Sequence, residues 1–450
     1  MEGLDSSDLS ARCRRDFPAL DRRRNGAPPV YLDNACTTLV PRSVIAAMNE
    51  YYTDYPACGG RRSHHWFARE VTARIEGDSE QGISGARQKL ADFIHAASAQ
   101  QILFTANTTQ AINLVALGLK FRTGDRVLVT DREHNSNLLP WLRLQKQGLI
   151  RVEAVPADGD DEVDFAAMEE KLKGGSVRLV SLAWTSNVTG TTLPAAKIIA
   201  LAHRYGARVL LDGAQTVPRQ TVDVQGLDVD FLAFSLHKMC GPRGIGVLYG
   251  KKDLLGRGIG EWEGGDEVLE PAILGGGMVS DSTFNSYRLL EAPERYESGI
   301  LNYPGIIASG TAIEYLGSLG MDRIADHEER LNGRLTRALL ERYGDLGWFR
   351  IFGPRDAGRR GGILTFEVQR PNAVGIATEL NAGANIMIRD GTFCVHSYFN
   401  NRFGPGWTHP RSHRDHRMIY RVSFYLYNSI EDCDCFVETL DRIFRERGYL

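Results

Sequence analysis

Lys238 closes the stretch Phe234-Ser235-Leu236-His237-Lys238, directly after the apolar run Phe231-Leu232-Ala233-Phe234. That run is short and unbroken, the pattern of a buried strand. Gly241-Pro242-Arg243-Gly244-Ile245-Gly246 then turns the chain into a second apolar run, Val247-Leu248-Tyr249. Upstream, Asp212 stands where the run Arg208-Val209-Leu210-Leu211 ends. A lysine and an aspartate, each just past a strand, point at one crevice of an open α/β sheet. An amine and a carboxylate so placed suit pyridoxal phosphate. The lysine takes the aldehyde as a Schiff base, and the carboxylate keeps the pyridine nitrogen protonated so that the ring accepts electrons. Taken alone, the pair also fits a surface lysine and an aspartate capping a turn.

Further polar clusters fall at further strand ends. Thr105-Ala106-Asn107-Thr108-Thr109-Gln110 precedes a helically spaced segment, Ala111 to Ala116. Thr108 and Thr109 there form a phosphate cup at a helix N-terminus, unless Asn107 or Thr108 is only a cap. His134 lies past the run Arg126 to Thr130 and supplies an aromatic ring for a cofactor face. Gln215 sits three residues after Asp212, within reach of the cofactor's phenolic oxygen. Asn187 follows the run Leu179 to Ala183. Polar residues at the ends of five apolar runs are harder to dismiss than any one of them.

In order, these segments resemble the class V, fold-type I pyridoxal phosphate enzymes, most closely the cysteine desulfurases and selenocysteine lyases. The resemblance runs from about Tyr31 to the C-terminus. It rests on Leu32-Asp33-Asn34-Ala35-Cys36-Thr37-Thr38, Thr108 to Asn113, Glu133 to Asn137, Ser186 to Gly190, Asp212 to Gln215 and Ser235 to Lys238. Arg389-Asp390-Gly391-Thr392-Phe393-Cys394 and Arg421 to Asn428 complete it. The resemblance implies that Lys238 is the Schiff-base lysine. Asp212 then pairs with the pyridinium, Gln215 with the phenolate oxygen, and His134 stacks on the ring. Thr108, Thr109, Ser235 and His237 hold the phosphate, with Asn187 beside cofactor and substrate. Arg421 clamps the substrate carboxylate through its two-pronged guanidinium, with Arg389 close by. Cys394 is the sulfur acceptor.

The implied reaction converts L-cysteine to L-alanine and leaves a persulfide on Cys394, with Lys238 as general base and His134 as proton relay. Other class V chemistries stay open: C–S lyase, epimerase, decarboxylation or selenocysteine lyase. A low-turnover sulfur-relay partner is a further alternative, against which the intact Lys238, Asp212 and Arg421 argue. The thiolate that attack requires needs a favourable field, which Arg389 or His396 is placed to supply. Phe393 and Val395 oppose it.

The sequence departs from the family in two places. Gly299 is followed by Ile300, where relatives commonly carry a threonine that reaches the neighbouring subunit's phosphate; isoleucine has no hydroxyl to do so. The segment between Cys394 and Arg421 is long and holds His409, His413, Asp415 and His416. We read it as a polar lid or docking loop ahead of a zinc site, and assign no metal. Cys433 and Cys435 read as structural. Cys36 and Cys240 read as packing residues, with redox sensitivity as the lesser alternative. His64 and His65 border either the substrate or a subunit interface, or form a solvated turn.

These residues need a fold to hold them. Strands alternate with helices from about 31 to 290, which predicts an α/β fold: a large, mostly parallel sheet domain that binds the cofactor. A smaller α/β domain, 291–450, carries the cysteine loop and Arg421, and residues 1–30 form a polar lead-in. A net charge of −3 offers no basic face for nucleic acid or an anionic membrane. No apolar run approaches a membrane span, and Met1 to Arg24 lacks a signal-peptide core. Seven scattered cysteines give no disulfide framework. The expectation is a cytoplasmic homodimer acting on L-cysteine or an analogue, with a sulfur-acceptor protein as partner.

Overall fold

The apolar runs become strands because residues buried on both faces of a sheet need no polar alternation. Every residue of Phe231–Ser235 and of Gly246–Gly250 is buried. The computed structural model describes residues 9–60, 62–157, 162–256, 268–408 and 416–450. Among these, the larger sheet has seven strands. Their spatial order is Ile102–Thr105, Gly246–Gly250, Phe231–Ser235, Arg208–Asp212, Val177–Ala183, Asp125–Thr130 and Ile150–Val155. Gly246–Gly250 runs antiparallel to both neighbours, and the other neighbouring pairs are parallel.

This order places the crevice. After Asp125–Thr130 the chain steps outward to Ile150–Val155. It then returns on the other side to Val177–Ala183 and continues away. The reversal lies between Asp125–Thr130 and Val177–Ala183, and ligands of open α/β sheets bind outside the strand ends at such a point. The segments carrying His134 and Asn187 leave from those two strands.

A second sheet of four antiparallel strands has the order Phe349–Phe352, Ile363–Gln369, Arg417–Ser423, Arg389–Asp390. Its core includes Leu331, Leu335, Phe366, Tyr420, Phe436 and Phe444. The helix Tyr303–Leu319 does not join that core. Ile306, Ile313, Leu316 and Leu319 pack with the larger sheet's residues instead, so the division of the cores falls later than residue 290. The lead-in is also less polar in effect than its composition suggests. Leu9, Cys13, Phe17 and Leu20 are buried in the main core, and Phe17 packs on Tyr427 with ring centroids 4.6 Å apart.

Candidate active site

One end of the site begins at the helix Thr108–Gly118, where the sequence places the phosphate cup. Asn107 is its cap, accepting from the Gln110 N–H at 3.0 Å. The Thr108 N–H donates to Ser235 Oγ at 2.7 Å, and the two hydroxyls lie 2.6 Å apart. Thr109 Oγ1 and Ser136 Oγ are 2.7 Å apart. Two helix N-termini, at Thr108 and at Asn135, therefore bring hydroxyls to one place. The close fit depends on Gly246, where a Cβ would lie 2.5 Å from Asn107 Cα. No other residue lets that strand pass beneath the cap.

The middle of the site is built on Lys238 and Asp212. Asp212 is buried and accepts from the Ala214 N–H at 3.0 Å. Burial raises the Asp212 carboxyl and lowers the Lys238 amine, while each one's charge opposes the other's shift. A carboxylate that needs a cation and an amine poised to lose its proton suit a pyridinium and an imine. Gln215 donates from Nε2 to the Ala35 carbonyl at 2.7 Å, which leaves its buried Oε1 with no partner. His134 Nδ1 accepts from the Ser136 N–H at 3.1 Å. Burial, then the positive charges of Lys238 and Arg421, push its pKa down to about 3. The ring is neutral at physiological pH with its proton on Nε2. His237 is pushed down to about 4 by burial and Lys238. Buried hydroxyls and this lysine–aspartate pair fit pyridoxal phosphate.

The far end of the site holds two arginines. Arg421 is buried; it donates to the Asn187 carbonyl at 3.1 Å and to Asp33 Oδ1 at 3.3 Å, and its buried Nε has no acceptor. Arg389 pairs with Arg421 across the small sheet and donates to Asp33 Oδ2 at 2.7 Å. One carboxylate between two guanidiniums leaves an excess positive charge, which suits an α-carboxylate. Asn187 Nδ2 donates to the Phe393 carbonyl at 2.8 Å and so ties this end to the cysteine loop.

Cys394 is exposed, with φ of 60°, after Phe393 at φ of 48°. Phe393 and Val395 are anchored in an apolar cluster with Val188, Phe352, Phe399 and Trp407. The flanking residues thus fix the loop rather than smothering the thiol. Lys238, Asp212, Gln215, His134, Asn187, Ser235, His237, Thr108, Thr109, Arg389, Arg421 and Cys394 all line one cavity of about 350 Å³.

Two expectations change. Arg389 was to supply a field for Cys394, but its guanidinium is engaged by Asp33 and by Cys36, with Nη2 2.9 Å from Cys36 Sγ. Its side chain folds back because Asp33 offers two carboxylate oxygens. His396 contacts Asn135 and Thr392. Cys36 is not a packing residue: it is half-buried and lines the cavity. Cys240 is fully buried. His65 caps the helix Trp66–Glu76, and Ile300 is 78% exposed. His409, His413 and Asp415 lie outside the described residues.

Asp33, Ser136 and Glu133 were given no role from sequence. Buried Glu133 accepts from the Thr130 hydroxyl, Asn137 Nδ2 and the Ala183 N–H, which joins the His134 turn to the neighbouring strand. Burial pushes its carboxyl up to about 7. A charged residue at a strand end within the His134 motif was the available signal.

A mostly parallel sheet with this lysine–aspartate pair at its strand ends and hydroxyls at a helix N-terminus defines a fold-type I pyridoxal phosphate enzyme. The chain belongs to the aminotransferase class-V family, whose model matches residues 30–436. It is 37% identical over 440 residues to a cysteine desulfurase of Dickeya dadantii, covering 97% of each chain. It is 36% identical to a probable cysteine desulfurase of Halalkalibacterium halodurans, covering 95% of this chain and 96% of that one. The structure of a cysteine desulfurase from Thermococcus onnurineus superposes with a TM-score of 0.84 at 30% identity, covering 99% of this chain and all of the other.

Proposed function

We propose that this chain is a cysteine desulfurase that converts L-cysteine to L-alanine and keeps the sulfur as a persulfide on Cys394. The observation that carries this reading is one cavity lined by an amine, a carboxylate clamp and an exposed thiol: Lys238, Arg421 and Cys394. Near-full-length likeness to proteins named cysteine desulfurases supports it.

Pyridoxal phosphate, when bound, supplies an aldehyde for amines and a ring that stabilises negative charge at Cα. Lys238 and Asp212 would hold its ring end, with Gln215 and His134 beside them, and Thr108, Thr109, Ser235 and His237 its phosphate. Arg421 orients the substrate by its carboxylate. Lys238 Nζ, lowered by burial, takes the Cα proton as general base. His134, neutral, moves protons at Nε2. Cys394 thiolate bonds to the substrate sulfur, and the bond from that sulfur to Cβ breaks. The electron pair stays with the carbon skeleton, which is protonated and leaves as L-alanine. Cys394 thiol and L-cysteine thus become Cys394 persulfide and L-alanine with no outside oxidant.

The exposed thiol supports hand-over of sulfur to an acceptor protein. The exposed apolar residues Ile273, Leu274, Phe284, Tyr287 and Ile300 support a homodimer that covers them. Seven cysteines standing as thiols support a reducing cytoplasm. Among the described residues no helix is long and apolar enough to cross a membrane. Product analysis with L-cysteine tests the reading. Alanine without pyruvate is expected; pyruvate with free sulfide indicates a C–S lyase instead.

A further inference from the structure

Cys36 is a nucleophile for which the mechanism above has no use. It lines the same cavity as Lys238, Arg421 and Cys394, and is half-buried rather than sealed in the core. Its Sγ accepts from Arg389 Nη2 at 2.9 Å. Arg389 begins the segment that ends in Cys394, so the residue that holds one thiol starts the loop that carries the other. The same guanidinium donates from Nε and Nη2 to Asp33, three residues before Cys36.

The backbone around Cys36 is fixed from several sides. Its N–H donates to the Asp33 carbonyl at 3.1 Å. Ala35 accepts from Gln215 at 2.7 Å and donates to Ser423 Oγ at 2.8 Å. Thr37 and Thr38 donate to the carbonyl of His237, the residue before Lys238. Cys36 therefore sits on a fixed wall, whereas Cys394 is exposed on a turn with left-handed backbone. Arg421, whose buried Nε has no acceptor, lines the same space, as expected of a compartment built for an anionic ligand.

We propose that Cys36 is a second sulfur acceptor, taking the outer sulfur of the Cys394 persulfide within the cavity. The proposal rests on the desulfurase reading. Cys36 Sγ, as thiolate, bonds to the outer sulfur, and the bond from that sulfur to Cys394 Sγ breaks. The electron pair leaves on Cys394 Sγ, which takes up the proton that Cys36 released. A Cys36 persulfide and a Cys394 thiol result, and thiol and persulfide merely trade places, so no oxidant or reductant is consumed. Cys394 is then ready for a second L-cysteine, and the chain stores two sulfurs.

A rapid-quench burst tests this. Holoenzyme is mixed with a few equivalents of L-cysteine, without reductant or acceptor, and quenched in an alkylating agent. Alanine is counted and the added sulfur is mapped by peptide mass spectrometry. Wild type should give a burst of about two alanines per chain, with sulfur on both the Cys36 and the Cys394 peptides. Cys36→Ser should give about one, with sulfur on Cys394 only. Should Cys36→Ser lose the cofactor, the wild-type peptide map alone decides. Sulfur on Cys394 with the Cys36 peptide unmodified would overturn the relay while leaving the desulfurase reading intact. So would a Cys36–Cys394 disulfide with free sulfide, or sulfur on Cys36 in Cys394→Ser. Sulfur on neither cysteine of wild type would instead contradict the desulfurase reading.

Discussion

The floor of the cavity and its rim are built differently. On the floor, Asp212, Ser235 and Gln215 are buried at or just past strand ends of the larger sheet, and the chain around Lys238 is bound to Thr37 and Thr38. At the rim, Cys394 is exposed on a tight turn held by its apolar neighbours and by its own carbonyl, which accepts from the Asn135 N–H at 2.8 Å. On the proposed reading the floor serves bond changes at carbon, where a misplacement of an ångström costs rate. On the same reading the rim serves a sulfur that must leave. Rigid strand ends suit the first task, and an accessible loop suits the second.

If that division is right, floor substitutions should damage cofactor chemistry. Lys238→Ala is expected to lower alanine formation by about 10³–10⁴-fold or more and to remove the borohydride-reducible adduct. An adduct mapped to another lysine would break the assignment. Arg421 is the proposed clamp for the substrate carboxylate. Removing a buried, charged hydrogen-bond partner costs on the order of 2–5 kcal/mol. Arg421→Ala should therefore lower kcat/KM for L-cysteine by roughly 30-fold to several-thousand-fold while the cofactor absorbance band stays. Unchanged saturation with L-cysteine would count against the clamp.

Glu133→Gln probes how the floor supports His134. The amide leaves at least one of the donors from Thr130, Asn137 and Ala183 without an acceptor, a cost of about 1–3 kcal/mol in stability. Chemical denaturation measures it, and a wild-type midpoint would contradict the reading.

The same two neighbours give a smaller, signed effect. Glu133 is raised from 4.5 to about 7, so between those values the folded chain keeps a proton that the unfolded chain has lost. Its contribution to stability falls as pH rises through that window. His134 is lowered from 6.5 to about 3, so the unfolded chain binds the extra proton there. Its contribution falls as pH drops below about 6.5. The two slopes oppose each other where the windows overlap. In the cofactor-free protein, Glu133→Gln should make stability rise more steeply with pH from about 4.5 to about 6.5 than it does in wild type. Equal slopes would show that Glu133 does not titrate in that range.

The floor was legible from sequence because Lys238, Asp212, His134 and Asn187 each follow an apolar run, and a strand end is a local signal. The rim was legible in part. Cys394 stood out after a turn signal, but the direction of Arg389 depends on Asp33, which lies 356 residues away in the chain. Asp33 binds Arg421 across 388 residues for the same reason. Cys36 sits between small residues, Ala35 and Thr37, with no chemistry-bearing neighbour beside it in sequence, and only the folded chain turns it toward the cavity. The buried part of the lead-in was missed because Leu9, Cys13, Phe17 and Leu20 are spaced among charges.

The central claim is that the rim thiol Cys394 is the group that takes the sulfur from L-cysteine. One turnover of Cys394→Ser holoenzyme with L-cysteine tests it most directly, with alanine and the cofactor spectrum followed together. The account predicts that the cofactor band still responds to L-cysteine while alanine formation is abolished, and that wild type carries an added sulfur on the Cys394 peptide. Alanine formed by Cys394→Ser at the wild-type rate would contradict it.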